Sequence, residues 1–426
     1  FKKDGECLSI GRRLNFLWLD NQENFSSQSV TANPALPSLP CLPFEMPQRK
    51  APRRLKVASV LDAFSHACFA PEADLISVTP SEWRRQLLGR KIDFVLVESA
   101  WHGNGDAWLY RVASYAKPPG NEIGDLVRWA RKYGIPTVFW NKEDPPNFDR
   151  FIERAKDFDF IFTTDENCVE RYRQRVRSDA HVAALPFAAQ PRIHNSLLQE
   201  ARLDKTMFAG SYYTDDFEPR RRAMDMLLSA ATRYGLDIFD RMFNATGKDK
   251  ERHTFPKGLQ PYIQGSLAYD EMLKAYRHYR VALNVNSVSD SPTMFSRRVF
   301  ELLACGTPVV STESLGIDRI FKGLVPTVES EGEASLVLEE LMTDAAAWLR
   351  ASVRGLRAVY SEHTYGHRMC EIAQAVGVSD YKLERPEVLV AVRPDGNDAR
   401  FASYMAEQTA PTLVVVVQGT PERDPA

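Results

Sequence analysis

The sequence predicts an α/β protein: two doubly wound, Rossmann-like domains in tandem, facing one another across a cleft, with a partial βαβ unit behind them. Three observations predict it. Short apolar runs bounded by turn residues alternate with amphipathic stretches, the pattern of parallel strands joined by helices that cover both faces of a sheet. The alternation runs over residues 55–185, pauses, and resumes at 205. The chain has 426 residues, which at roughly 100 to 200 per domain allows two or three buried cores.

Residues 1–52 form an N-terminal extension and linker, because Pro34, Pro37, Pro40 and Pro43 suit an extended connector. The start, Phe1-Lys2-Lys3 with no apolar signal core, is read as lying inside a longer protein. The run Arg49, Lys50, Arg53, Arg54, Lys56 reads as solvated charge. The first domain, 53–190, has strands at Lys56–Leu61, Asp93–Val97, Pro136–Trp140 and Phe158–Phe162, with helices near Pro80–Leu88, Ile123–Tyr133 and Asn147–Lys156. A polar helical connector is expected at about 190–205.

The second domain, 191–380, repeats the pattern. Its strands are Lys205–Ala209, Leu236–Phe239, Val281–Val285 and Thr307–Ser311; its helices are Pro219–Tyr234, Asp270–His278 and Ser296–Ala304. The Ala-, Leu- and Glu-rich segment Glu333–Val376 supplies two or three closing helices. Residues 381–426, with strands at Pro386–Ala391 and Leu413–Val417 and a helix at Asp398–Glu407, form one βαβ unit. One such unit cannot bury both faces of its sheet, so it reads as a fragment of a further domain.

Composition narrows the function. Lys plus Arg (54) nearly cancel Asp plus Glu (56), so no global basic field holds a nucleic acid. The longest apolar runs fall far short of the ~18 to 20 residues of a transmembrane helix. Six scattered cysteines without a CxxC or Cys/His cluster argue for reduced thiols in the cytoplasm and against a zinc site.

The stretch from Asp290 to Val310 carries the most chemistry. A polar loop leads into a helix near Ser296 with Arg297 and Arg298 in its first turn, Glu301 one turn on, and Gly306 as terminator. Cations at a helix amino end oppose its dipole by ~0.3 to 1 kcal/mol, so an anionic ligand is the natural reason for them. A diphosphate would meet guanidinium forks and backbone N–H groups together. Glu301, an acceptor when ionised, suits ribose hydroxyls. The same residues also fit surface ion pairs and a solvated helix.

This stretch resembles the nucleotide-sugar segment of GT-B glycosyltransferases, above all the CgeB-like branch and its glycosyltransferase family 1 relatives. Arg297-Arg-Val-Phe-Glu301 and Ala304-Cys-Gly-Thr-Pro308 carry the resemblance, with Phe208-Ala-Gly-Ser-Tyr212, Leu283-Asn-Val-Asn286, and His363-Thr-Tyr365 with Arg368. The first domain resembles the same branch through Leu61-Asp-Ala-Phe-Ser65, Val97–Asn104 and Phe139–Pro145. The resemblance implies a metal-independent hexosyltransferase, without cofactor, acting in bacterial surface polysaccharide or glycoconjugate synthesis. The donor is a nucleotide-diphosphate sugar; the acceptor is a glycan, a lipid-linked glycan or a protein. Donor residues are Gly210, Ser211, Tyr212, Tyr262, Thr293, Met294, Phe295, Ser296, Arg297, Arg298 and Glu301. Tyr262 and the region of Phe239 are walls for the base. Catalytic candidates are Asp62, Glu98, His102 and Asp144, with His66 and Glu143 nearby; Ser65, Trp101 and Asn104 are acceptor candidates. Many retaining relatives have two acids separated by seven residues, and here Thr293 stands in the first place, so the stereochemical outcome stays open.

Asp157-Phe-Asp159 mimics a metal-binding pair but sits at a helix-to-strand junction and reads as structural. Val388–Val392 and Leu413–Gln418 resemble the opening of a GT-A family 2 glycosyltransferase, which implies further glycosyltransferase domains in the same chain. The alternative to an enzyme is a non-catalytic module that binds nucleotide sugar or glycan.

Overall fold

The computed structural model describes residues 53–114, 120–197, 201–214, 217–378, 380–383, 388–392 and 412–416. Residues Arg53–Lys382 form one compact unit holding two lobes.

The first lobe is an all-parallel sheet in the order β2-β1-β3-β4-β5-β6. Its strands are β1 (Leu55–Val60), β2 (Ala73–Ser77), β3 (Phe94–Glu98), β4 (Thr137–Asn141), β5 (Phe160–Thr163) and β6 (His181–Ala184). Helices α1 (Ala63–Phe69), α2 (Trp83–Leu87), α3 (Glu122–Lys132), α4 (Phe148–Ala155) and α5 (Cys168–Arg173) connect them. Every residue of β3 and β4 is buried, as in a sheet covered on both faces.

The second lobe is also all-parallel, in the order β12-β11-β10-β7-β8-β9. Its strands are β7 (Leu203–Gly210), β8 (Asp237–Asp240), β9 (Ile263–Gly265), β10 (Tyr279–Asn284), β11 (Val309–Thr312) and β12 (Thr327–Val328). Counted within the lobe this is the 3-2-1-4-5-6 Rossmann order, whose switch point falls between β7 and β10. Its helices are α6 (Glu218–Ala231), α7 (Gly247–Arg252), α8 (Tyr269–His278), α9 (Arg298–Ala304) and α10 (Leu315–Phe321), then α11 (Glu331–Thr343), α12 (Ala345–Glu362) and α13 (Tyr365–Ala375).

The lobes share one hydrophobic core, which runs from Leu55, Val57 and Trp140 to Phe300, Val309 and Tyr365. Where two or three closing helices are expected there are three, α11 to α13, and the last of them packs on the first lobe. Tyr365 meets Phe69 edge-on at 4.9 Å, and buried Arg368 donates to the carbonyls of Pro186 and Phe187 at 2.8 and 3.1 Å. The connector is not helical over 190–197. Pro191 has no N–H to give a helix, and the Gln190 N–H donates instead to the His194 ring at 2.9 Å.

Separately, β13 (Val388–Val392) and β14 (Thr412–Val416) pair in parallel, Val388 opposite Thr412. The expected helix 398–407 and the linker prolines lie outside the described residues.

Candidate functional site

At the second lobe's switch point lies a cavity of about 230 Å3. The end of β7 contributes Gly210 and Ser211, and the end of β10 contributes Val285 to Val288. The loop before α9 contributes Met294, Phe295 and Ser296. A Cβ at Gly210 would stand 2.8 Å from the Phe208 ring, so a residue without a side chain fits this close strand end.

Three guanidiniums line the cavity, from Arg220, Arg241 and Arg298. Pro219 in the first turn of α6 starts that helix and sets Arg220 beside the end of β7, over the Tyr213 ring at 5.1 Å. Arg220 donates to the Ser211 carbonyl at 3.2 Å, and Arg241, just past β8, donates to the Ser211 hydroxyl at 3.2 Å. Burial, and repulsion from Arg298 and Arg241, lower the Arg220 pKa against the opposing effect of Tyr213. No carboxylate lines the cavity among the described residues.

Of the expected donor residues, Gly210, Ser211, Met294, Phe295, Ser296 and Arg298 line this cavity. The rest lie elsewhere. Tyr212 turns inward, with its hydroxyl on the Asp225 carboxylate at 3.0 Å, and its neighbour Tyr213 faces the cavity instead. Tyr262 packs against the apolar cluster around Leu236 and Ile238. Thr293 joins the lobes: its hydroxyl accepts from the Glu166 N–H at 2.8 Å and donates to the Thr164 carbonyl at 2.9 Å. Arg297 pairs with Glu301 and lies over the Phe64 ring of the first lobe at 3.7 Å. Glu301 is wholly buried beside Tyr276 and, at 3.9 Å, His194, so burial sets it apart from the cavity. Helix α9 itself is only seven residues long. Arg220, Arg241 and Tyr213 are not among the residues expected from the sequence; of the three only Arg220, a cation in the first turn of its helix, carries a sequence signal that could have found it.

The first lobe's switch point falls between β1 and β3, where Asp62 and Glu98 meet Lys142. Lys142 Nζ lies 2.9 Å from Asp62 Oδ2 and 3.2 Å from Glu98 Oε1. Asp62 Oδ1 also accepts the N–H groups of Gly103 and His102, at 2.7 and 3.1 Å. Burial acts to raise the Asp62 pKa, but Lys142 and these N–H groups outweigh it and hold the carboxyl below its usual value. For Glu98, fully buried, burial prevails over Lys142 and raises the pKa.

His102 is 61% exposed, and its Nδ1 lies 2.6 Å from Asp106 Oδ1. That contact selects the Nδ1–H tautomer and leaves Nε2 as an acceptor. Asp106, the orienting partner, is not among the residues expected from the sequence.

Asp144 does not face the cleft. It is buried and accepts from Asn141 Nδ2 at 2.9 Å and the Thr163 hydroxyl at 2.6 Å, and burial pushes its pKa up to about 7. The Asn104 side chain is occupied by the backbone: it donates to the carbonyls of Ser59 and Val78 at 2.7 and 2.8 Å and accepts from the Leu61 N–H at 3.1 Å. Trp101 packs edge-on against Phe151, and Ser65 is buried beside Glu98. His66 and Glu143 are half-buried, the latter accepting from Asn147 Nδ2 at 3.2 Å. Asp159 is held by Thr137, Arg131 and Arg177. Among the described residues no group of three or more His, Cys, Asp or Glu side chains is placed to hold a metal ion. No helix among them is long and apolar enough to cross a membrane.

Two Rossmann-like lobes, all-parallel, share one core and are joined by a helix that crosses back. The fold is GT-B. Residues 220–374 match the family profile described as glycosyl transferase-like, a segment running from Arg220 to α13 that holds Arg241 and Arg298. Similar solved structures include a glycosyltransferase from Rickettsia africae, 11% identical, covering 76% of this chain and 98% of that one, with a TM-score of 0.47. Anabaena HepE in complex with UDP is 9% identical, covering 76% and 92%, with a TM-score of 0.47. Sucrose-phosphate synthase from Thermosynechococcus elongatus is 12% identical, covering 70% and 76%, with a TM-score of 0.45. No curated protein matches the sequence.

Proposed function

We propose that the chain is a metal-independent hexosyltransferase that moves a sugar from a nucleotide-diphosphate donor to a hydroxyl of a glycan, lipid-linked glycan or protein. The single observation that carries this reading is the cavity at the second lobe's switch point. Three guanidiniums converge there with no carboxylate among its described lining residues, inside the segment that matches a glycosyl transferase-like family. Guanidinium forks match phosphate oxygens and stabilise charge as it develops on a departing diphosphate.

In the transfer, the acceptor oxygen bonds to the anomeric carbon as the bond from that carbon to the diphosphate oxygen breaks. The acceptor proton passes to His102 Nε2, with Asp106 orienting the ring. Asp62, tied to Lys142 and two N–H groups, holds the backbone of His102 and Gly103 in place. By its sequence resemblance the protein belongs to the CgeB-like branch, in the cytoplasm, in bacterial surface polysaccharide synthesis. The strand pair β13–β14 would then open a further, GT-A-like domain.

Thermal-shift and calorimetric titration with UDP, GDP and dTDP tests the donor site, since a ligand of the native state raises the unfolding midpoint. One nucleotide should bind, and Arg220→Ala or Arg241→Ala should weaken it about tenfold or more; no binding by any of the three overturns the reading. A second reading, a binding module without turnover, is favoured by the burial of Glu98 and Asp144 and the ion pair on Asp62. Release of nucleoside diphosphate from a panel of nucleotide sugars and acceptors separates the two.

A further inference from the structure

The cavity wall that carries Met294, Phe295 and Ser296 opens on a turn closed by Ser291. The buried Ser291 hydroxyl oxygen accepts the Met294 N–H at 2.9 Å and the Thr293 N–H at 3.4 Å. A side-chain bond of this kind stands in for a backbone hydrogen bond and fixes the turn. A hydroxyl has a single proton to give, and Ser291 gives it across the lobe boundary, to Asp165 Oδ1 at 2.5 Å. Asp165 lies just past β5, is 2% exposed, and is itself placed by first-lobe groups. Its N–H donates to the Thr163 hydroxyl at 3.1 Å, Oδ1 also accepts the Asn167 N–H at 3.0 Å, and the Cys168 thiol reaches Oδ2 at 3.6 Å. From the second lobe, Gly316 of α10 packs so closely that a Cβ there would stand 2.9 Å from the Phe295 ring and 3.0 Å from the Ser291 carbonyl oxygen.

Resting on the nucleotide-sugar reading above, we propose that Asp165 is a positioning residue of the donor cavity: a first-lobe carboxylate that acts through Ser291 to hold the 294–296 wall, so that both lobes complete the donor site. An ionised carboxylate is a strong acceptor, and the hydroxyl that donates to it becomes a better acceptor in turn for the Met294 N–H. Without Asp165 the buried hydroxyl must turn its proton toward another acceptor, and its lone pair leaves that N–H. The neighbouring contacts between the same two loops lack this reach. Glu166 pairs with Arg319 at 2.7 Å through exposed side chains, and Asn167 Nδ2 donates to the Asp290 carbonyl at 3.3 Å. Each joins the lobes without a bond to Met294, Phe295 or Ser296.

The test is calorimetric titration of the full chain with UDP, GDP and dTDP, then of each variant with the tightest of the three. Asp165→Ala and Ser291→Ala should each weaken binding about tenfold, the size of one hydrogen bond to a charged group. The double variant should be no weaker than either, because both changes remove one link. Asp165→Asn keeps an acceptor oxygen and should recover most of the affinity. Glu166→Ala breaks an inter-lobe ion pair alone and should leave affinity unchanged. Amide exchange in the 290–298 peptide should quicken in the two alanine variants, with far-ultraviolet circular dichroism confirming their fold. Should Asp165→Ala not fold, Ser291→Ala and Asp165→Asn still decide the matter. Affinity within about twofold of the parent in the alanine variants, or an additive loss in the double variant, overturns the assignment while the donor site stands. A loss in Glu166→Ala equal to that in Asp165→Ala overturns it as well, because lobe contact in general then sets the affinity. If none of the three nucleotides binds the parent, the nucleotide-sugar reading falls, and this inference with it.

Discussion

Replacing Arg297 by Met tests what the Arg297–Glu301 pair does. The Glu301 side chain is 0% exposed and that of Arg297 is 29% exposed. Burial works against ionisation of Glu301, and Arg297, with help from His194 and Arg298, more than offsets it, so the carboxyl titrates below its usual value. His194, 3.9 Å away, cannot replace the arginine, because burial lowers its own pKa and keeps it neutral near pH 7. Arg297→Met keeps most of the volume but leaves a buried carboxylate alone. Breaking a buried pair in this way costs about 3 to 5 kcal/mol, and the lost stacking on Phe64 adds about 0.5 to 1 kcal/mol. The sign of the pH dependence follows. In the native protein the depressed Glu301 pKa gives stability that is present above the unfolded value and lost as pH falls through the folded one. In Arg297→Met burial is no longer offset, the folded pKa rises, and that contribution reverses, so stability should fall as pH rises from 4 toward 7. Urea unfolding followed by tryptophan fluorescence at several pH values reads both effects. A variant within about 1 kcal/mol of the parent at pH 7 would refute the argument. So would a Glu301→Gln variant of unchanged stability whose sole defect is donor affinity, the outcome expected if Glu301 served the ribose.

Lys142→Met should cost a similar 3 to 5 kcal/mol, roughly, because it strands the carboxylates of Asp62 and Glu98 together; urea midpoints measure it. His102→Ala should lower turnover by about 10² to 10⁴ with donor affinity unchanged, and Asp106→Asn by less, in steady-state kinetics paired with calorimetry. Asp144, raised to about 7, binds a proton in the folded state that the unfolded chain has released, so its contribution to stability declines from about pH 4 to 7, at most about 1.4 kcal/mol per unit. Asp144→Asn should flatten that slope in urea titrations across pH 4.5 to 7.5.

Both sheets are legible in the sequence because their central strands are wholly apolar runs: Phe94–Val97, Val138–Trp140 and Val281–Leu283 can sit only in a covered sheet. The edges are not. β2 buries only Ala73 of its five residues, and β9 spans three residues and β12 two, lengths at which no period can be read. The 294–298 wall is legible as cations at the start of a helix. Applied to Glu218-Pro-Arg-Arg, the same argument singles out Arg220, which also opposes its helix dipole. Arg241 carries no such mark, because only the strand order sets the end of β8 beside the end of β7. Tyr212 and Tyr213 show the limit of a motif. Successive residues beyond a strand point to opposite sides, and the resemblance reaches the residue that faces the core.

The segment from Thr293 to Arg298 divides its residues between two roles. Met294, Phe295, Ser296 and Arg298 bound the cavity, while Thr293 and Arg297 hold the first lobe. The wall of the cavity is thus fixed at both ends by contacts it does not itself make, and Phe295, stacked on Phe300 at 5.0 Å, anchors its middle in the shared core. Precise placement of a charged ligand needs this kind of support, because a guanidinium on a long side chain gains little unless its backbone is held. The Arg297–Glu301 pair then serves to position the wall. Glu301 ties Arg297 down, Arg297 reaches Phe64, and the backbone between cavity and joint is left with little freedom. It follows that Arg297→Met should weaken nucleotide binding less than Arg220→Ala does, even though it costs more stability.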